Sequence, residues 1–217
     1  IVNKKRRNDI AVCLRDACRN GFPIKYLFNT FKSNNCIIRG IVLKTVYMVK
    51  LSITKEIETA FLTIADQEMS DAAYHLQSCK YFRSYRANNA VELLCHSVKE
   101  EFVQNHLNNL IQIAVILDKS GRINNVLPRL NHENRHVRAR ALEIFDNTGN
   151  IKINRMVINL IDRIDKYEND INSISGSTLI SEKSLLELID MYTKIQNKWV
   201  QDCARYARSM RKFKTEI

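Results

Sequence analysis

Two pairs of potential metal ligands stand four residues apart in the sequence. His132 and His136 form one pair, and His75 and Cys79 form the other. One helical turn would place both members of a pair on the same face, as a zinc site requires. Such a site needs three or four ligands, and neither pair has a nearby third ligand or the glutamate of an HExxH motif. Surface or capping histidines explain the pattern better, so we predict no metal site.

Acid–base chemistry has one candidate pair, Glu143 and Asp146, which are three residues apart. In a helix they would share a face and could act as an acid and a base. A structural role explains them more simply, because Glu143 can pair with Arg138 or Arg140 and Asp146 can help to end the helix. The five glycines are scattered, and neither GxGxxG nor GxxxxGK occurs. We therefore predict that the chain is not an enzyme and uses no cofactor.

Positive charge is concentrated at the two ends of the chain. The net charge is +11, and residues 1–50 carry 11 basic and 2 acidic side chains, whereas residues 201–217 carry 5 and 2. A nucleic acid or an anionic membrane could bind such ends, and a solvated basic face explains them equally well. The run Lys4, Lys5, Arg6 and Arg7 follows two apolar residues, as at the cytoplasmic end of a transmembrane helix. It predicts proximity to a membrane, although an arbitrary start of the sequence explains it too.

The cysteines and the lengths of the apolar runs indicate in which cellular compartment the protein is expected. Six cysteines occur without a CxxC pair, which indicates small buried side chains in a reducing compartment. No run of 18 apolar residues and no signal peptide is present. We expect a cytoplasmic location, on the inner face of a membrane if the basic N-terminal run lies beside one.

Helical periodicity dominates the sequence. Apolar residues recur at i, i+3, i+4 and i+7, while the 5 glycines and 2 prolines are too few for a turn-rich sheet protein. The predicted helices lie near 8–20, 23–32, 35–50, 53–65, 70–82, 86–96, 99–118, 122–130, 134–147, 151–165, 181–195 and 198–213.

The chain also contains weak internal similarity. Val137-Arg138 and Ala141-Leu142 align with Ile38-Arg39 and Val42-Leu43, and further matches fall near 90–98 and 198–207. Aligned positions 43, 91, 142 and 205 are 48, 51 and 63 residues apart. The polar stretch 167–181 accounts for the longest gap as an inserted loop. These spacings predict one repeat domain over 1–217.

The segment NNVLPRLNHENRHVRARALEIF resembles a HEAT repeat, in which a short polar turn leads to a second helix opening with Val-Arg before Ala-Leu. The resemblance implies an all-α fold, an α-α superhelix of HEAT/armadillo-like helix pairs. One departure is Asn131, which replaces the turn aspartate of the family. A narrower resemblance, to the cytosolic HEAT modules of bacterial ATP/ADP-translocase-like carriers, rests on the ALE-x-x-DN run from Ala141 and on the W-x-x-x-CA-x-YA helix from Trp199.

In such a stack, the second helices line a concave surface. We predict a basic stripe there, formed by Arg39, Lys44, Arg86, Arg138 and Arg140, with Val137, Ala141 and Ile144 facing the core. A buried Arg138 is the alternative. Trp199 is a candidate anchor for a partner, although the core is the commoner place for such a residue.

The sequence thus predicts a non-enzymatic scaffold or regulatory module with a protein partner. The resemblance to the carriers implies that this module is the cytosolic part of a membrane transporter. The alternative is a nucleic-acid-binding repeat protein. Its support is the basic ends and the run CKYFRSYR at 79–86, in which basic and aromatic residues alternate. An amphipathic helix with buried rings explains that run better.

Overall fold

Helices make up nearly all of the described chain. The computed structural model describes residues 4–85, 89–130, 132–169 and 182–212. Within these ranges the protein is 84% helical and contains no strand, which confirms the all-α prediction. The helices are α1 (Lys4–Arg19), α2 (Lys25–Thr30), α3 (Cys36–Val49), α4 (Lys55–Tyr85), α5 (Asn89–Val98), α6 (Gln104–Leu117), α7 (Arg122–Leu130), α8 (Arg135–Asp146), α9 (Ile151–Asn169), α10 (Glu182–Thr193) and α11 (Lys198–Lys212), with a π-helical segment at Lys99–Val103.

Most predicted helices lie within a few residues of the observed ones, and two differ in kind. The predicted helices 53–65 and 70–82 are one helix, α4, because the intervening Asp-Gln-Glu-Met contains no helix breaker. The predicted helix 99–118 opens with the π-helical turn before α6 begins. The first part of the predicted inserted loop, 167–169, belongs to α9, and its remainder, 170–181, lies outside the described residues.

The chain divides into two compact units. The N-terminal unit comprises Val2–Ser70 and Asn105–Asp162, and the C-terminal unit comprises Asp71–Gln104 and Arg163–Ile217. No helix in the described ranges is both long and apolar enough to cross a bilayer.

The N-terminal unit is built on α3. Helices α1 and α2 both pack against α3, and α7 packs against α8. Asn35 caps α3, since its side-chain oxygen accepts hydrogen bonds from the backbone amides of Ile37 and Ile38. Phe28, Phe31 and Phe61 form an aromatic cluster with ring centroids 5.5 to 6.1 Å apart.

The C-terminal unit is built on α11, which packs against α5 and α10. Its core contains Phe82, Leu94, Tyr192 and Val200, all essentially removed from solvent. The Phe82 and Tyr192 rings meet edge to face at 5.6 Å, a favourable geometry for two aromatic side chains.

Candidate partner-binding surface

Arg39, the first residue of the predicted basic stripe, lies in the core. Arg39 is only 2% exposed and forms an ion pair with the fully buried Glu68, so it cannot contact a polyanion. Lys44 is half-buried and donates a hydrogen bond to Asn8. Arg86 lies outside the described residues. The prediction of a stripe running across successive repeats is therefore wrong for Arg39, because the neighbouring helix supplies a buried carboxylate.

The other two stripe residues lie on α8. Arg140 is exposed and Arg138 is half-buried. The predicted inward face is correct for Ala141 and wrong for Ile144, which is 37% exposed, because Phe145 fills the core position instead. Of the N-terminal basic run, Lys5 and Arg6 are exposed, and Arg7 donates to Asn105 at 2.9 Å.

Three buried polar side chains surround Glu68 in the N-terminal unit. One carboxylate oxygen accepts from Arg39 Nε at 2.6 Å and from Asn109 Nδ2 at 2.9 Å. The other lies 2.5 Å from His106 Nδ1, which requires a proton on that ring nitrogen. We call these four residues, Arg39, Glu68, His106 and Asn109, the Glu68 cluster. It joins helices α3, α4 and α6.

Backbone groups complete the hydrogen bonding of the cluster. Arg39 Nη1 donates to the carbonyl of Ser33 at 2.6 Å, and Asn109 Nδ2 also donates to the carbonyl of Cys36 at 2.8 Å. Gly40 lies against this amide, and a Cβ atom placed there would be 2.6 Å from Asn109 Oδ1. A glycine is therefore needed at position 40 for α3 to approach Asn109 so closely.

Glu68 remains ionised despite its burial. Burial alone would raise its pKa, but the hydrogen bonds and charges of His106 and Arg39 outweigh that effect and lower the pKa below its usual value. No member of the cluster is more than 3% exposed, so a substrate has no access to it. Within the described ranges, no three His, Cys, Asp or Glu side chains are grouped as metal ligands. The cluster therefore has a structural role, because it holds helices α3, α4 and α6 together.

The C-terminal unit contains a different buried group, around Cys79. The Cys79 and Cys95 thiols each donate to the carbonyl of the other residue at 3.7 Å, which links α4 to α5. The hydrogen-bonded Cys95 thiol and burial raise the pKa of Cys79 well above that of a free thiol, so it is a poor nucleophile. Arg83 lies 4.4 Å above the ring of Tyr167 and binds Glu92 at 2.8 Å.

The π-helical segment links three neighbouring helices of this unit. Lys99 pairs with Glu168 of α9. Glu101 accepts a hydrogen bond from Asn197 at 2.9 Å, and Asn197 caps α11 by accepting from the amide of Val200 at 3.2 Å. Phe102 stacks on His75 of α4 at 4.7 Å. The extra residue of a π-turn changes the direction of these side chains, and such turns are frequent at functional sites.

One face of α11, about 90° around the helix from its packed side, exposes three large apolar side chains. Trp199, Tyr206 and Met210 are 42%, 44% and 45% exposed. Their spacing of seven and four residues places them on one stripe of the helix. Val200, Cys203, Ala204 and Ala207 on the packed side are buried. We call Trp199, Tyr206 and Met210 the α11 stripe.

Charged side chains flank the α11 stripe, and several are paired. Asp202 lies 2.8 Å from Lys198 and 3.5 Å from Arg205, and Arg208 lies 3.0 Å from Asp190 of α10. The Lys198–Asp202 and Arg205–Asp202 pairs are largely exposed and contribute little to stability, whereas Asp190 is only 32% exposed. They give the stripe a polar border, which is the usual anatomy of a protein–protein interface.

Trp199 was predicted from the sequence as a candidate anchor, whereas Tyr206, Met210 and the Glu68 cluster were not predicted. The stripe had a signal, since Trp199, Tyr206 and Met210 recur at helical spacing beside the buried residues of the same helix. The cluster had a weaker one, because Glu68 follows Ile64 at the spacing of a buried face. No protein-family model, curated protein or solved structure matches the chain.

Proposed function

We propose that this chain is a non-enzymatic helical interaction module that binds a protein partner through the α11 stripe. The observation that carries the proposal is the exposure of Trp199, Tyr206 and Met210 along one face of a helix whose adjacent face is packed. Tryptophan and tyrosine are among the residues most enriched in interface hot spots.

The partner segment that fits is an amphipathic helix with acidic residues beside its apolar face. The stripe runs from Trp199 to Met210, which corresponds to about 16 Å along the axis of α11. Anchors at such i, i+7 and i+11 positions are typical of helices that pack in pairs. Helix α11 carries Lys198, Arg205, Arg208, Arg211 and Lys212 against a single acid, Asp202. This imbalance favours a negatively charged partner.

Preorganisation of the surface also supports a binding role. The Asn197 cap and its bond to Glu101 fix the first turn of α11, next to Trp199. Because α11 also packs against α5 and α10, the stripe would lose little conformational entropy on binding.

We further propose that the module lies in the cytosol and is part of a membrane transporter. Their support is the sequence resemblance to the cytosolic modules of ATP/ADP-translocase-like carriers, whose matching residues include Trp199 and Tyr206. The nucleic-acid alternative is weakened, because Arg39 is buried and only Arg140 among the described residues of the basic stripe is exposed.

Site-specific photo-crosslinking in living cells tests the proposal. We would replace Tyr206 with benzoylphenylalanine in the full chain, and use Tyr47, an exposed tyrosine of α3, as the matched control position. We expect one discrete protein adduct at position 206, its loss on Trp199→Ala, and no such adduct at position 47. Equal adducts at both positions, or none at position 206, would show that the α11 stripe is not the binding surface.

A further inference from the structure

A second exposed aromatic surface lies in the N-terminal unit, at the turn between α1 and α2. Phe22 is 42% exposed and Tyr26 is 51% exposed, and their ring centroids are 5.6 Å apart. Pro23, between them, is also exposed. We call residues 21–26 the aromatic turn.

The aromatic turn has an ordered backbone. Gly21 adopts a φ of +97°, which ends α1 in a conformation that glycine accepts readily. The amide of Phe22 then donates to the carbonyl of Ala17 at 3.0 Å, and the amide of Tyr26 donates to the carbonyl of Pro23 at 3.1 Å. Leu27, the next residue, is buried and anchors α2. The two rings are thus presented to solvent by a fixed turn.

Basic residues adjoin the turn in the sequence. Arg19, Lys25 and Lys32 are exposed, and the nearest acid before the turn is Asp16, which pairs with Arg15. No other aspartate or glutamate occurs until Glu56. The ammonium of Lys25 lies 5.4 Å from the centre of the Tyr26 ring, at the tip of the turn.

We propose that the aromatic turn docks on an anionic lipid bilayer. Aromatic side chains favour the interface between the headgroups and the acyl chains, where Phe22 and Tyr26 would bury their rings. Lysines and arginines beside them would be attracted to anionic headgroups, at about 1 kcal/mol for each side chain near the surface. Apolar insertion and charge attraction together give stable membrane binding, whereas each alone is weak.

A bilayer fits this surface better than a single-stranded nucleic acid does. Bases bind by stacking on open ring faces. Here the rings of Phe22 and Tyr26 are tilted against each other by 44°, and Lys25 already covers one face of Tyr26. Neither Phe22 nor Pro23 has a side-chain group that could hydrogen-bond to a base edge. Insertion into lipid requires only apolar surface with cations around it.

The aromatic turn and the α11 stripe belong to different units. Trp199 is the only tryptophan of the chain, so a reporter can be moved from one surface to the other. The full-length variant Trp199→Phe/Tyr26→Trp places the single indole in the aromatic turn. It would be titrated with vesicles of phosphatidylcholine alone and with vesicles containing about 30% phosphatidylserine.

We expect the tryptophan emission of this variant to shift to shorter wavelength only with the anionic vesicles, and brominated acyl chains to quench it. High salt should reverse the shift, because it screens the attraction between the lysines and the headgroups. Adding Phe22→Ser should weaken vesicle binding by roughly tenfold, the effect of losing one buried aromatic ring. Circular dichroism would verify that each variant is folded.

Trp199→Ala, tested by co-sedimentation, should leave vesicle binding unchanged, so that failure of the α11 proposal is distinguished from failure of this one. The docking proposal is overturned if the emission does not shift, if neutral vesicles act equally, or if Phe22→Ser leaves binding intact. Binding of oligo(dT) that is lost on Phe22→Ser, without vesicle binding, would assign the turn to nucleic acid instead.

Discussion

The interior of the N-terminal unit holds charged side chains around Glu68, whereas the interior of the C-terminal unit is held by thiols and aromatic rings around Cys79. Every member of the Glu68 cluster is hydrogen-bonded, and its charges are balanced by direct contact. The Tyr167 hydroxyl of the C-terminal unit is buried without a hydrogen bond of normal geometry. Removing one member of a buried charged cluster leaves an unpaired charge and strongly lowers stability. Losing a single contact in an apolar core has a smaller effect, because the neighbouring side chains can repack.

Removal of the central charge should have the largest effect on stability. Glu68→Gln keeps the shape of the side chain but leaves the Arg39 guanidinium buried without a counter-charge. We expect a loss of about 3–5 kcal/mol in the free energy of unfolding, measured by urea denaturation. Asp66→Asn is the matched control on the same helix, because Asp66 and Lys152 form a pair that is 55% exposed on both sides. That change should cost less than about 1 kcal/mol. Equal effects for the two variants would contradict a structural role for the cluster.

Acid should reproduce part of this loss in the wild type. The pKa of Glu68 is lower in the folded protein than its usual value of 4.5, so the unfolded state binds the proton more readily. The stabilisation is therefore complete above about pH 5 to 6 and is lost as the pH falls through the folded pKa. Urea midpoints of the wild type and Glu68→Gln should converge between pH 6.5 and pH 3. A constant difference between them over this range would show that the carboxylate does not titrate as proposed.

Adding a methyl group at position 40 should lower stability less than the loss of the Glu68 charge does. Gly40→Ala gains about 1 kcal/mol of helix propensity. The new methyl group would meet Asn109 Oδ1 at 2.6 Å, and Asn109 is held by Glu68 and the carbonyl of Cys36. We expect a net loss of about 1–2 kcal/mol in unfolding free energy. In an Asn109→Ala background the same change should become stabilising. Stabilisation in the wild-type background would show that Asn109 can move.

The smallest changes in stability are expected for removal of the hydroxyl groups of two buried tyrosines in the C-terminal unit, and the two changes should differ. Tyr192 hydrogen-bonds to His75 at 2.8 Å, so Tyr192→Phe should cost about 1 kcal/mol of unfolding free energy. Tyr167→Phe removes a hydroxyl without such a bond and should change stability by less than about 0.5 kcal/mol. Thermal or urea unfolding of both variants measures the difference. The reverse order would mean that the Tyr167 hydroxyl has an important partner, such as a thiol.

Fold class was predictable from the sequence, because helical spacing recurs throughout and α7 matches its predicted bounds. The hydrogen-bond partners of the buried polar side chains could not be predicted from the sequence. Arg39 and Arg138 occupy aligned positions, yet Arg39 is buried against a carboxylate of α4 and Arg138 is only half-buried. Twenty-nine residues separate Arg39 from Glu68, so their contact depends on tertiary packing that local spacing does not encode. Trp199 was a candidate anchor because it opens the last helix beside the predicted loop, whereas its exposure followed only from the packing of α11.

The most direct test of the α11 stripe as a binding surface is the accessibility of Trp199 to acrylamide, with and without the partner recovered by crosslinking. Because the chain has one tryptophan, quenching of its fluorescence reports on this position alone, provided that the partner is labelled or lacks tryptophan. We expect efficient quenching in the free chain, since the side chain is 42% exposed, and strong protection when the partner saturates it. A bound partner that leaves the quenching of Trp199 unchanged would contradict the proposal.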